Sequence, residues 1–310
     1  MRLVSGAPIP CRPGLGTAPL GSLREGPLWW GPQDRDEAVA TVVAAIDAGV
    51  AFVDTAPFYG WGRAESIVGD ALGSFDVRPT TPILTKCGTV PRHDGAVAED
   101  ASPESVRRDV EASLERLGVD RIDIVQVHDP DPATPIEVTW ETLMALVDEG
   151  VIGGAGLSNH PVGLLDRALA VGPVDVVQCQ YSLLWRGPEI DGVLEWCGDR
   201  GVTLLAWAPL ASGFLADGFD LDALDPTDLR HGLRWASDPA VAAARGELAR
   251  VAADRATTMA DVAVGWLLRA DVRAFCGARS VREATALGSM APLDPATRSR
   301  LAALAPATGS

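Results

Sequence analysis

Short, largely continuous apolar runs alternate along this chain with segments whose apolar residues recur every three or four positions. The runs are 14-GLGT, 51-AFVD, 82-PILTK, 122-IDIVQVH, 153-GGAGLS, 174-VDVVQCQ, 203-TLLAWA and 273-RAFCG, eight in all. Runs of this length and character are expected where helices cover both faces of a parallel sheet. Between them, residues 36–48 place Val39, Val42, Val43 and Ile46 on one helical face and stop at Gly49. Residues 103–117 open with Ser102-Pro103, a cap followed by proline at the first helical position, and end before Gly118. Residues 135–149 and 161–170 follow the same logic, and Thr258 with Asp261 has capping-box spacing. Eight strands, each followed by a helix, predict a (β/α)8 TIM barrel of the α/β class, one domain over residues 1–310. Length alone would also suit two domains, or the helices could flank an open doubly wound sheet, but no linker or low-complexity tract divides the chain.

Two stretches exceed the minimal repeat. Residues 87–101 form a predicted loop, and residues 209–236 form a longer Asp-rich insertion. Both follow strand C-termini, which predicts long loops at the catalytic face of the barrel.

Composition narrows the class. With 47% hydrophobic and 22% charged residues the chain is too apolar for disorder. A net charge of −16 repels phosphate backbones and argues against a nucleic-acid partner. No apolar run approaches the roughly 18 residues of a membrane span, and MRLVSGAPIPCRPG lacks an apolar signal core. Five scattered cysteines form neither a disulfide framework nor a metal pair, and His93 and His160 are not spaced as ligands. A cytoplasmic protein without a metal is expected. Of 26 basic residues 25 are arginine, leaving Lys86 as the one lysine, and there are two tyrosines, Tyr59 and Tyr181.

Four ionisable residues stand at or just after strand ends: Asp54, Tyr59, Lys86 and His128. Singly they read as a turn cap, a loop aromatic, a surface charge and a solvated histidine. Together, at the ends of three neighbouring strands, they converge on one mouth. A lysine ending the apolar run PILT is costly unless paired, and Asp54 is the natural counter-ion. Such an ammonium beside a phenol favours phenolate, so the Tyr59 pKa is expected to fall from its usual value of about 10. The set suits proton delivery to a carbonyl oxygen, with hydride supplied from elsewhere.

The segment 54-DTAPFYGWGRAESIVGDAL resembles the signature DTAxxYGxGxSExxxGxAL of the aldo-keto reductase superfamily, with Ala64-Glu65-Ser66 where Ser-Glu is usual. In order along the chain, 121-RIDIVQVHDP, 147-VDEGVIGGAGLSNH, 178-QCQYSLLWR, 204-LLAWAPLASGFL and 277-GARSVREA are similar to further motifs of that family. The opening 14-GLGTAPLGSL is most similar to the branch of aldose and fucose 1-dehydrogenases and pyridoxal dehydrogenase.

The resemblance implies Tyr59 as general acid/base, Lys86 and Asp54 as its modulators, and His128 orienting the substrate carbonyl. It implies a nicotinamide stacked on Trp207, with Ser158, Asn159 and Gln178 on the carboxamide. Gly16 and Thr17 would line the cofactor site, and Leu210, Ser212 and Gly213 would fold over the pyrophosphate. Without the family, Ser158-Asn159 reads as a helix cap before Pro161. No GxGxxG follows any strand, so a Rossmann site is unsupported. Arg279 and Ser280 match 2′-phosphate ligands and favour NADP(H) over NAD(H), whereas Glu283 would suit a free ribose hydroxyl or complete a capping box with Ser280. Ala286-Leu287 replaces the Glu-Asn that contacts adenine.

Phe58, Trp61, His128 and Trp235 are the expected walls of a pocket for a small carbonyl compound or sugar. The aspartates of the insertion read as a solvated face. A monomer or weak homo-oligomer is expected. Two other functions fit parts of the pattern: a Schiff-base lysine enzyme using Lys86, as in barrel aldolases, and a nucleotide-binding regulatory relative without turnover. Asp54 opposes the first, because a counter-ion raises a lysine's pKa.

Overall fold

In a computed structural model the described residues are 9–77, 79–91 and 97–304. The strands are β1 (Gly14–Gly16), β2 (Val53–Asp54), β3 (Ile83–Cys87), β4 (Thr89–Pro91), β5 (Val97–Glu99), β6 (Ile124–Val127), β7 (Ala155–Ser158), β8 (Val176–Gln180), β9 (Thr203–Trp207) and β10 (Val272–Gly277). Eight of them close into a parallel barrel in the order β1-β10-β9-β8-β7-β6-β3-β2. Every apolar run named above supplies one barrel strand.

Two buried clusters explain why the runs are apolar on both faces. Ala51, Phe52, Leu84, Ile124, Val176, Leu205 and Phe275 fill the barrel, while a larger cluster lies between strands and helices. Phe52 and Phe275 meet edge to face at 5.8 Å. A Cβ on Gly14 would come within 2.6 Å of the Phe52 ring, so that position needs glycine. At the floor, the buried guanidinium of Arg273 donates to the carbonyls of Ile9 (3.1 Å) and Pro10 (2.7 Å) and seals the barrel with the N-terminal segment.

Several helix ends are as expected. Ser102 accepts from the Ser105 amide, and helix Pro103–Leu117 stops at a left-handed Gly118. Thr258 and Asp261 form a complete capping box on helix Met259–Leu267. Helix Val162–Val171 instead takes Pro161 as its cap residue, so Ser158 and Asn159 do not cap it. Helix Arg63–Gly73 has no side-chain cap and starts from a left-handed Gly62, which is why its start carries no cap signal in the sequence. Its fully buried Glu65 accepts from Thr85 Oγ1 (2.5 Å) and Arg116 Nε (2.6 Å), tying the helix to β3.

The expected loop 87–101 contains an antiparallel pair, β4 and β5, joined through Thr89↔Glu99 and Pro91↔Val97. Strands of three residues are too short to show a period. His93 lies outside the described residues. The insertion is built from 3-10 turns at Ala211–Gly213, Leu229–Gly232 and Arg234–Ala236. Among the described residues no helix is long and apolar enough to cross a membrane.

Candidate active site

Strand register brings the chemistry together. Gly16 pairs with Asp54, and Lys86 on β3 lies beside Gln126 on β6. Side chains alternate along a strand, so Gln126 and His128 share the inward face. Asp54 and Lys86 are almost completely enclosed, at 0% and 1% exposure. The Lys86 ammonium donates to Asp54 Oδ1 (2.6 Å), the Thr55 carbonyl (3.0 Å) and Tyr59 Oη (3.3 Å). An ammonium has three donors, and all three are used.

Tyr59 is carried by the turn after β2, which runs through left-handed backbone at Gly60 (φ 63°), Trp61 (φ 51°) and Gly62 (φ 90°). A Cβ on Gly60 would sit 2.1 Å from the Gly21 carbonyl, so glycine lets this turn close on the β1 loop. The rings of Phe58 and Tyr59 meet the His128 imidazole nearly perpendicularly at 5.7 Å and 6.0 Å, and Phe58 meets Trp61 at 5.6 Å. The four residues singled out by sequence therefore surround one point, with Phe58 and Trp61 as a partly buried aromatic wall.

The electrostatics correct one expectation. Burial pushes the Tyr59 phenol above its usual range; Lys86 pulls it down, and Asp54 and Asp129 add to the rise. The net shift is upward because Asp54 offsets the ammonium and the surroundings are apolar. Tyr59 is a neutral proton donor here. For Lys86, burial lowers the pKa, but Asp54 and Tyr59 outweigh it and the ammonium is held charged. Burial and the nearby ammonium hold His128 well below the ordinary histidine range, leaving a neutral imidazole.

The second oxygen of Asp54 is also occupied. Gln178 Nε2 donates to Oδ2 at 2.8 Å and Gln126 Nε2 at 3.3 Å. Thr17 donates to the Asp54 carbonyl through its amide (3.0 Å) and its hydroxyl (3.1 Å), with Gly16 against Phe275. Gln126 escaped the motif-based reading; its signal was a polar residue inside an apolar strand, two before His128.

Asp129 was missed as well, in a loop that reads as solvated. Its Oδ1 accepts from Asn159 Nδ2 (2.9 Å), while Asn159 Oδ1 accepts from Trp207 Nε1 (3.0 Å). The Asn159 side chain, expected on a carboxamide, is thus committed to a bridge from β9 to β6, with its own φ at 61°. The bridge pins the indole by its edge. The buried Ser158 contributes its carbonyl to His160 Nδ1.

After β9 the backbone turns left-handed at Ala208, Ala211, Ser212 and Gly213, next to Leu210. Strain concentrated in one turn is characteristic of functional segments. Arg279 donates to the carbonyls of Trp30, Gly31 and Pro32 and to Gln33 Oε1 (3.0 Å), so its guanidinium clamps the β1 loop. Ser280 caps the Glu283 amide, but Glu283 Oε2 turns to the Arg279 amide (2.8 Å), so the expected capping box is only half formed. Trp235, expected on the pocket wall, is 4% exposed and belongs to the core; Arg234 lies over its ring. Asp228, one of the aspartates expected in solvent, is buried against Arg230.

Residues 14–304 match the model of the aldo/keto reductase family. The chain is 37% identical over 216 residues to the NADH-specific methylglyoxal reductase of Escherichia coli (strain K12), covering 66% of this chain and 65% of that one. It spans just under two thirds of the length of the curated relatives it matches. Among solved structures it is similar to the glycerol dehydrogenase of Gluconobacter oxydans, with a TM-score of 0.85 and 31% identity, covering 95% of this chain and 91% of that one. It is also similar to an aldo/keto reductase from Klebsiella pneumoniae in complex with NADP and acetate, with a TM-score of 0.73 and 28% identity, covering 100% and 96%.

Proposed function

The chain belongs to the aldo/keto reductase family, and on that premise we propose that it is an NAD(P)(H)-dependent oxidoreductase interconverting a small carbonyl compound or sugar with its alcohol or lactone. The observation that carries this is the Lys86 ammonium, which spends its three donors on Asp54, the Thr55 carbonyl and Tyr59 Oη. It leaves a neutral phenol and a neutral imidazole facing one another across the mouth.

A nicotinamide dinucleotide fits the residues present. The indole of Trp207, pinned at its edge by Asn159, keeps a fixed ring for stacking, Gln178 stands on the adjacent strand β8, and the strained turn at Leu210, Ser212 and Gly213 follows directly after the ring. When bound, the nicotinamide supplies or accepts hydride at C4. The protein's part is to hold the substrate oxygen between Tyr59 Oη and His128. Tyr59 gives that oxygen its proton in reduction and takes it back in oxidation. Lys86 steadies the phenolate left behind, and Asp54 keeps Lys86 charged and in place.

Turnover of small aldehydes and of alcohols or aldoses, measured with NADPH and NADH in parallel, is the test. Turnover that depends on Tyr59 is expected. Borohydride trapping of substrate on Lys86 would replace this proposal with the Schiff-base alternative. That alternative requires a neutral amine, whereas Lys86 is held charged with no free donor. Nucleotide binding without turnover of any carbonyl or sugar would leave the regulatory alternative.

Between the two dinucleotides, Arg279 and Ser280 favour NADP(H). Recognition of a 2′-phosphate then requires the guanidinium to exchange loop carbonyls for phosphate oxygens, which form stronger charge-assisted bonds. Arg279→Ala is expected to weaken NADPH binding at least about tenfold more than NADH binding, a difference of about 1.4 kcal/mol. Equal losses in a fluorescence titration would make Arg279 a loop clamp alone and remove the preference.

A further inference from the structure

The amides on Asp54 bear on how the proton moves. Gln126 is fully buried, stands beside Lys86 in the barrel wall, and donates through Nε2 to Asp54 Oδ2. Its own Oε1 is buried without a partner among the described residues. Turning the amide over would press that oxygen against a carboxylate, so the orientation with an orphaned carbonyl is the tenable one. A buried acceptor without a donor is costly, and an apolar residue of similar shape would fill the space without that cost. What the glutamine supplies instead is a hydrogen bond to Asp54.

We propose that Gln126 is a positioning residue for proton transfer at Tyr59. Its amide joins Gln178 on Asp54 Oδ2, turns Oδ1 onto Lys86, and disperses part of the carboxylate's charge, so that the ammonium acts on the phenol. The proposal rests on the oxidoreductase function above. The charged groups facing Tyr59 are Lys86 from β3, Asp54 from β2 and Asp129 after β6, with His128 neutral. Asp54 and Asp129 hold the phenolic proton on, and Lys86 draws it off. Of these, Gln126 bonds Asp54 only. Removing its amide leaves Asp54 more negative, and Tyr59 then gives up its proton at higher pH.

Alcohol oxidation reads this directly, because it needs the phenolate. In Gln126→Met, which keeps the length and loses the donor, the rising limb of kcat against pH is expected to move up by about half a unit, because only part of a bond made to the Asp54 carboxylate is felt at the phenol. The KM for the dinucleotide is expected to stay within about twofold, since Gln126 is enclosed below the mouth. Gln126→Leu provides the same measurement should the methionine variant fail to fold. In an Asp54→Asn background the Gln126→Met shift is expected to vanish, because there is no carboxylate charge left to disperse. A limb that stays in place while kcat falls equally at every pH would make Gln126 merely structural and overturn the proposal alone. Full turnover in Tyr59→Phe, or none in the unaltered enzyme, would overturn the oxidoreductase function and this proposal with it.

Discussion

Tyr59→Phe is expected to lower carbonyl reduction by about three orders of magnitude, the middle of the range that a positioned general acid contributes, while dinucleotide affinity stays within about threefold. The substitution removes one oxygen. The ring keeps its edge-to-face contact with His128, and among the described residues the hydrogen bond that ends on the phenol is the one from Lys86. Lys86 keeps Asp54 and the Thr55 carbonyl as partners, so the buried ion pair survives. What disappears is the proton donor itself, which water entering an apolar-walled mouth replaces poorly. Steady-state turnover and a tryptophan-fluorescence titration check the two halves separately. Loss of both would show Tyr59 to be a structural anchor. Retained turnover would leave the phenol without a part in the chemistry.

Much of this arrangement could be read in the sequence because it depends on period and position. Eight apolar runs named eight strands, and the ionisable residues that end three of them named the mouth. That places Asp54, Lys86 and His128 without any tertiary knowledge. What escaped depends on balance or on partners distant in sequence. The Tyr59 shift is a competition between burial and charges of opposite sign, and only the folded geometry sets the distances that decide it. The β4–β5 pair is too short to show alternation. Trp235 looked like a pocket aromatic because it sits in a polar loop, yet that loop folds back and buries it. Arg279 read as a free phosphate fork because nothing in 277-GARSVREA reveals the carbonyls of Trp30, Gly31 and Pro32, which lie far away along the chain. Gln126 was legible in principle, as a polar residue on the inward parity of an apolar strand.

Lys86→Met is expected to remove most turnover and to destabilise the fold, for separable reasons. With the ammonium gone, Asp54 remains a fully buried carboxylate held by two amides alone. Breaking a buried pair from one side typically costs about 3–5 kcal/mol. Lys86→Met with Asp54→Asn removes both charges and is expected to recover a large part of that loss in thermal or denaturant unfolding. Activity is not expected to return with it. Lys86 is the group that draws the Tyr59 proton off against burial, so its removal sends the phenol higher still. The pH limb of alcohol oxidation then moves upward in both the single and the double variant. Lys86→Arg separates charge from shape. It keeps a cation in a chain whose other basic residues are all arginine. A planar fork, however, cannot direct donors to Asp54 Oδ1, the Thr55 carbonyl and Tyr59 Oη from one compact point. Low turnover in Lys86→Arg with a folded barrel would show that the site needs that point charge. Near-normal turnover would show that any cation beside Asp54 suffices, and would remove the physical reason for a lone lysine here.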